Sequence, residues 1–412
     1  MVFDSFNLCV KTKNFIAMSQ HINNSCVMRS KTKSYYDIVI ILFLLFFLQK
    51  NVYSDCIKNF LIFDIGSSTT KSILYKKDIC NGKKIIDKQV FNHNYPYQAC
   101  LSDTQDNILP DACIEGGVQA IQIIKDHFNL KCDGDAQCVA IATGWARYMQ
   151  NPTAWSDAVR KTNVEPIIAS QNYEGEMKLN AIKANTISQN KSFLGFDIGG
   201  GSFQLGWFDE KNHLHQYNSN YGTDNFTHDL QEKFFSLNEK KCIRARNNFI
   251  LVNNGSADKK SLKQASDNIS QECAAGYRTT LKTKELDQAI AFTYEQIGKP
   301  ISENMTLRNF IKNNKPVIYA DSLLFSLGIR KQLGYDRDII TIDDVHKIMV
   351  SIAGMTYDQV KKTYPNLPDI CINTTQPSML ILYSLMRSLN IDEIHIIQTD
   401  YMEHFVDSQI KN

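Results

Sequence analysis

The chain has almost no charge imbalance: 45 Lys and Arg stand against 43 Asp and Glu, a formal net charge of +2. That balance excludes a strongly basic nucleic-acid binder, whose affinity rests on excess positive charge. It leaves room for local positive charge around an anionic substrate. The longest apolar run, Ile38–Leu48, is about half of the ~20 residues a bilayer span needs. No Cys-x-x-Cys pair occurs, and the 9 His are scattered without ligand spacing, which argues against a zinc centre. What remains, 412 residues with 43% hydrophobic and 21% charged, is an ordinary globular composition with length enough for two domains.

The Ile38–Leu48 block is preceded by Arg29, Lys31 and Lys33 and followed by Val52-Tyr53-Ser54, small at its last position. Those are the parts of a signal peptide, with cleavage before Asp55. The leader ahead of the block is long, which makes Met28 an alternative start. The expectation is export to a periplasm, the exterior or a secretory lumen, with retention as an anchor the alternative to cleavage. Cysteine usage agrees. Removing Cys9 and Cys26 with the leader leaves Cys56, Cys80, Cys100, Cys113, Cys132, Cys138, Cys242, Cys273 and Cys371, a density natural to an oxidising compartment. Cys132 and Cys138 bracket Asp133-Gly134-Asp135, a turn that can bring them together; Cys100 with Cys113 and Cys242 with Cys273 are conjectures, since sequence does not fix connectivity. An odd total leaves at least one thiol unpaired.

One pattern occurs twice. Phe63-Asp64-Ile65-Gly66-Ser67-Ser68-Thr69-Thr70 is answered by Phe196-Asp197-Ile198-Gly199-Gly200-Gly201-Ser202-Phe203, each between two short apolar runs. Strand, Asp, Gly turn, hydroxyl residues, strand describes a hairpin whose tip can approach phosphate. Glycine lets the backbone come close, and turn N–H groups with Ser and Thr hydroxyls can cradle an anion. The Asp at the strand end is placed to hold a metal ion. A single copy is weak, because Asp-x-Gly turns are common in hairpins; two copies, each opening a candidate domain, are stronger.

Around these hairpins the chain divides into a leader (1–54) and two domains (55–190 and 191–412). Strands are expected at 60–64, 71–76, 84–92, 139–142 and 165–169, with helices at 115–128, 157–162 and 174–185. The second domain restarts at strand 193–197, with helices at 284–297, 320–333, 342–352 and 377–389 and a strand at 394–397. The polar stretch 247–271 reads as a loop insertion or solvated face. Alternating sheet and helix in each half implies two α/β domains facing each other across a cleft.

With these residues in hand, the chain resembles the actin-like ATPase superfamily and, within it, the exopolyphosphatase/guanosine pentaphosphate phosphatase (Ppx/GppA) family. The matches, in order, are Asp64–Thr70, Ala142-Thr143-x-x-Ala146-Arg147, Ile167-Ile168-Ala169-Ser170-x-x-x-Glu174-Gly175, and Asp197–Ser202. The resemblance implies two ribonuclease H-like domains. Two positions depart from the family pattern. Tyr173-Glu174 stands where paired Glu residues are usual, and Ser202-Phe203-Gln204 where Ser-Thr-Glu is. Gln204, Ser67-Ser68-x-Thr70 and Glu174-Gly175 are instead similar to apyrases, the nucleoside triphosphate diphosphohydrolases.

Both families cleave terminal phosphoanhydrides with water. The resemblance implies that Gly66, Ser67, Ser68, Thr69, Gly199, Gly200, Gly201, Ser202 and Gln204 hold phosphate. Asp64 and Asp197 would hold Mg²⁺ (or Ca²⁺ or Mn²⁺), and Glu174 would act as the base, supported by Thr143 and Arg147. On spacing alone, Glu174 is equally a helix-terminal carboxylate complementing the macrodipole, and Thr143 and Arg147 equally a strand-end cap and an ion-pair residue. The expected partners are polyphosphate or a nucleotide, no nucleic acid, a membrane only if the leader is retained, and optionally a second copy of the chain as a homodimer. A nucleotide would need a base-stacking pocket, for which Tyr277, Phe292, Tyr294, Tyr319 and Phe325 are candidates. A sugar-type kinase and a catalytically silent phosphate-binding protein are the readings of other classes.

Overall fold

The computed structural model describes residues 56–67, 69–80, 84–95, 97–102, 106–134, 136–186, 192–254, 259–273, 276–321 and 338–410. The apolar block Ile38–Leu48, Ser68 and Phe325 lie outside them. Among the described residues no helix is long and apolar enough to cross a membrane. Lys58–Asn412 forms one compact unit, which contains every element that shapes the site.

The first sheet is built from β1 (Ile57–Ile65), β2 (Thr69–Asp78), β3 (Lys84–Asn94), β4 (Gln137–Ala142) and β5 (Glu165–Ile168), in the order β3-β2-β1-β4-β5. β2 and β3 run antiparallel, while β1, β4 and β5 run parallel. The second sheet comprises β6 (Phe193–Ile198), β7 (Phe203–Phe208), β8 (Leu214–Ser219), β9 (Val317–Asp321), β10 (Ile339–Thr341) and β11 (Glu393–Ile397), in the order β10-β11-β9-β6-β7-β8. Taken from the far edge, β8-β7-β6-β9-β11 repeats β3-β2-β1-β4-β5, with the same directions. The duplicated sequence pattern is therefore a duplicated topology.

Both central strands are covered on two faces. Phe60, Leu61, Ile62 and Phe63 of β1 are all buried; Leu61 and Phe63 face one core with Trp145 and Trp155, while Phe60 and Ile62 face another. A near-continuous apolar run is what a strand buried on both sides requires. The second sheet rests on the helix Thr375–Leu389, which is buried almost all round.

Two helices join the halves. In Gln171–Thr186, Met177 packs in a core with β1, whereas Leu179 and Ile182 pack with Tyr319 of β9. A Cβ on Gly206 of β7 would lie 2.1 Å from Leu179, so the helix approaches that sheet at a distance only glycine permits. The last helix, Tyr401–Ile410, leaves the second sheet and buries Met402, Phe405 and Val406 beside Phe60 and Ile62. Lys77 donates to Asp407 at 2.7 Å and Tyr75 to Asp400 at 2.6 Å, fastening it there.

Most expected elements are present with shifted ends. One expectation is corrected, and one that held two alternatives is decided. The polar stretch 247–271 is largely helical, forming parts of Leu237–Asn254 and Lys259–Glu272, which pack on each other and are joined by Cys242–Cys273. Its polarity reflects solvent-facing sides rather than a loop. The helix expected at 320–333 begins instead inside β9, and 322–337 lie outside the described residues. Disulfides join Cys100 to Cys113 and Cys132 to Cys138, and Cys371 is a free, partly buried thiol.

Candidate active site

Asp64 and Asp197 stand near the carboxyl ends of β1 and β6, each flanked by an antiparallel strand on one side and a parallel strand on the other. In open α/β sheets ligands bind in the crevice outside the carboxyl ends of the strands. The two turns that follow are closed alike. Gly66 N–H donates to Thr69 O at 3.0 Å, and Gly199 N–H donates to Ser202 O at 2.8 Å. They also meet: a Cβ on Gly200 would lie 3.5 Å from Ser67 Oγ, and one on Gly144 would lie 3.7 Å from Gly201 Cα. These distances bring both turns and the Thr143–Arg147 segment together.

The second turn rests on the start of the helix Thr223–Phe234. Thr223 and Asp224 N–H groups donate to Gly199 O and Gly200 O at 2.9 and 2.8 Å. A Cβ on Gly222 would fall 2.2 Å from Gly200 O and 2.3 Å from Ser202 N. The residue under the second turn is thus a glycine for lack of space.

Glu174, in the first turn of Gln171–Thr186, is 6% exposed. Arg147 Nη1 donates to its Oε2 at 2.8 Å, and Lys178 Nζ to its Oε1 at 2.9 Å. Burial alone would push its carboxyl up; Lys178 and Arg147 outweigh that and hold it below the ordinary value, ionised. Arg147 Nη2 reaches Ser202 Oγ at 2.9 Å, and Gln204 Nε2 reaches the same oxygen at 3.1 Å. Gln204 is 1% exposed, and its Oε1 has no hydrogen-bond partner among the described residues. Thr143 is buried, its N–H donates to Ile65 O at 3.3 Å, and its side chain makes no cap bond to the following 3₁₀ turn.

Three participants were not anticipated. Lys178 Nζ, besides binding Glu174, donates to Asp197 Oδ2 at 2.6 Å. Asp321 ends β9 directly opposite Asp197 in register. Tyr401, from the last helix, places its ring 5.5 Å from Lys178 Nζ. A signal for Asp321 existed, because Val317-Ile318-Tyr319-Ala320-Asp321 is a third apolar run ending in Asp. Lys178 lies one helical turn from Glu174, a spacing that puts both on one face. Nothing local marks Tyr401.

Burial is the main force raising the carboxyls of Asp64, Asp197 and Asp321 above their ordinary value of 3.8, with Asp197 reaching about 7. At Asp197 the ammonium of Lys178 opposes the rise, while Asp321 and Glu174 add to it. Three aspartates, with Asp321 beside Asp197 across β6 and β9, offer the oxygen ligands that a hard divalent cation such as Mg²⁺ takes together with the waters it retains. Asp64, Asp197 and Asp321 are the residues that would hold it.

The raised pKa of Asp197 has a stability consequence. A carboxyl whose folded-state pKa exceeds its unfolded value favours the fold when protonated, and that advantage disappears as pH rises through about 7. In chelator, wild type should therefore gain melting temperature relative to Asp197→Asn as pH falls from about 8 to 5, by on the order of 5 °C. Parallel pH dependence of the two proteins would show that Asp197 is ionised throughout.

Two of the candidate stacking aromatics, Tyr319 and Phe292, lie in different cores. Tyr319 packs with Leu179 and Ile182, whereas Phe292 stacks on Phe226 in the separate core of the second sheet.

Two sheets of one topology, each with an Asp and a Gly-Ser/Thr turn meeting at a shared site, define a two-lobed protein of the actin-like ATPase fold. A family-wide sequence profile described as the Ppx/GppA phosphatase family matches residues 101–313, just over half of the chain. The chain belongs to that family. Among solved structures, the Aquifex aeolicus Ppx/GppA family member is similar with a TM-score of 0.55 at 15% identity, covering 86% of this chain and 98% of that one. An exopolyphosphatase from Cytophaga hutchinsonii is similar with a TM-score of 0.58 at 11% identity, covering 86% and 98%. At such identities the likeness concerns the fold. A search of curated proteins finds no match. Members of the family generally work with divalent metal ions.

Proposed function

We propose that the protein hydrolyses terminal phosphoanhydride bonds, with Glu174 orienting the attacking water. The observation that carries this reading is a buried carboxylate, kept ionised by Arg147 and Lys178, beside the point where the two phosphate turns meet. Phosphoryl transfer has a loose transition state, so it needs a positioned water and charge neutralisation more than a strong base. A carboxylate with a lowered pKa suits that role, because its remaining lone pairs accept the protons of water and fix its direction. Gln204 Oε1, buried without a partner among the described residues, supplies a second acceptor for the same water.

Ser202 Oγ already accepts bonds from Arg147 and Gln204, which leaves its own O–H to donate to a phosphate oxygen. Thr143, uncommitted to a cap, can donate in the same way from the opposite lobe. Ser67 and Ser68 on one side, and the N–H groups of Gly200 and Gly201 on the other, would clamp the substrate's terminal phosphates, with Gly66, Thr69 and Gly199 shaping the turns that present them. Arg147 is assigned to positioning, since its guanidinium links Glu174 to Ser202. A divalent ion at Asp64, Asp197 and Asp321, most simply Mg²⁺, would neutralise charge on the transferred phosphoryl group.

The substrate we favour is inorganic polyphosphate or a guanosine penta- or tetraphosphate. An apyrase-like activity on nucleoside tri- and diphosphates is the second reading, favoured by Gln204 where an acid is usual and by the disulfides. The same disulfides and the Ile38–Leu48 block support export. Orthophosphate release from polyphosphate, ATP, ADP and guanosine tetraphosphate, with Mg²⁺ or Mn²⁺, tests the reading. Release from any of them supports hydrolysis and identifies the substrate class. Release from none rejects it.

A further inference from the structure

Around the acidic side chains Asp64, Glu174, Asp197 and Asp321 stand the cations Arg147 and Lys178, with Lys71 also acting on Asp64 and Asp321. The Arg147 guanidinium is directed to Glu174 and Ser202. Lys178 instead spans the two halves of the acidic cluster: its ammonium is 2.9 Å from Glu174 Oε1 and 2.6 Å from Asp197 Oδ2. Its side chain is only 12% exposed, and both partners are buried. The helix that carries it is wedged between the two sheets by Met177 on one side and Leu179 on the other, so the ammonium cannot withdraw with its backbone. Tyr401 closes the remaining side with its ring.

A divalent ion bound by Asp197 must share that carboxylate with a positive charge already in contact with it. Like charges a few ångströms apart in a poorly solvated site repel strongly. We propose that Lys178 is a tethered cation that occupies part of the carboxylate cluster and weakens its uptake of divalent metal, setting the metal concentration at which the enzyme becomes active. This inference rests on the hydrolase reading for its physiological sense, but its test counts no turnover. In a relative with an uncharged residue at the corresponding helical position, the same three carboxylates would be free to bind the ion without competition.

The test is titration of the metal-stripped full chain with Mn²⁺ alone, free Mn²⁺ being read by its paramagnetic resonance signal. Lys178→Met keeps the length of the side chain and removes the charge. Its dissociation constant for Mn²⁺ should be at least about tenfold lower than that of wild type, and Lys178→Arg should stay near wild type. The double variant Lys178→Met/Asp197→Asn should lose the gain, which ties the bound ion to this cluster. Because uncompensated buried carboxylates can destabilise the fold, melting temperature is measured alongside, and Lys178→Gln replaces the Met variant if that one does not unfold cooperatively. Added Mn²⁺ should raise the melting temperature of the charge-removed variant more than that of wild type. Equal or weaker Mn²⁺ binding by the Met or Gln variant overturns the proposal, as does a gain that survives in the double variant. Absence of phosphate release with this Mn²⁺ pattern intact would instead reject the hydrolase reading and leave the cation competition standing.

Discussion

Replacing Glu174 by Gln is expected to lower turnover by roughly 10²–10⁴-fold, the usual scale for loss of a positioned general base. The substitution preserves bulk and one carbonyl oxygen and removes the anionic acceptor. Substrate affinity should change little, because the turns Gly66–Thr69 and Gly199–Ser202 do not depend on Glu174 for their closing bonds. The alternative is that Glu174 only anchors Arg147 and Lys178. Breaking a buried ion pair costs about 3–5 kcal/mol of stability, so that role would appear as a fall in melting temperature with turnover nearly intact. Measuring kcat, KM and thermal unfolding on one preparation separates the two. A variant that melts lower but turns over near the wild-type rate would remove Glu174 from the chemistry.

The second large effect comes from outside the phosphate turns. A methyl group added at Gly222 would lie 2.2 Å from Gly200 O and 2.3 Å from Gly200 C and Ser202 N, all of them backbone atoms. No rotamer change can relieve such contacts, so Gly222→Ala must displace the Gly199–Ser202 turn. Displacing a substrate-positioning group by about 1 Å costs on the order of 10²-fold in rate. The expected result is a drop of that size in kcat/KM, with much of it in KM because the turn holds substrate. The pair Arg147–Glu174 belongs to other elements and should persist. A fully active Gly222→Ala protein would show that the second turn does not hold substrate.

How much of this was legible in the sequence depended on whether a residue's neighbours in the chain are also its neighbours in space. Asp64 and Asp197 sit in hairpins whose strands, turn and hydroxyls are contiguous, and both hairpins formed. Glu174, Thr143 and Arg147 were legible through resemblance, since each follows a strand by a few residues and the fold converges strand ends. Asp321 was obscured because its strand was read as the start of a helix, although its apolar run ends in Asp as the other two do. Lys178 and Tyr401 needed the structure. The first lies on a helix buried on two faces, where amphipathic patterning fails; the second arrives on a C-terminal helix that crosses back to the first sheet. The stretch 247–271 was legible only as loop insertion or solvated face, because two paired helices with wide solvent faces have the composition of a loop.

Hydrolysis of inorganic polyphosphate in ¹⁸O-labelled water with Mg²⁺ tests the central claim most directly, with ATP as the parallel substrate. Water attack on the terminal phosphorus, directed by Glu174, places one solvent oxygen in each orthophosphate released and none in the shortened chain or in ADP. The label should follow the same pattern in the slow residual reaction of Glu174→Gln. Release of unlabelled orthophosphate, label in the remaining chain, or no orthophosphate from these substrates and from ADP and guanosine tetraphosphate as well would contradict the account.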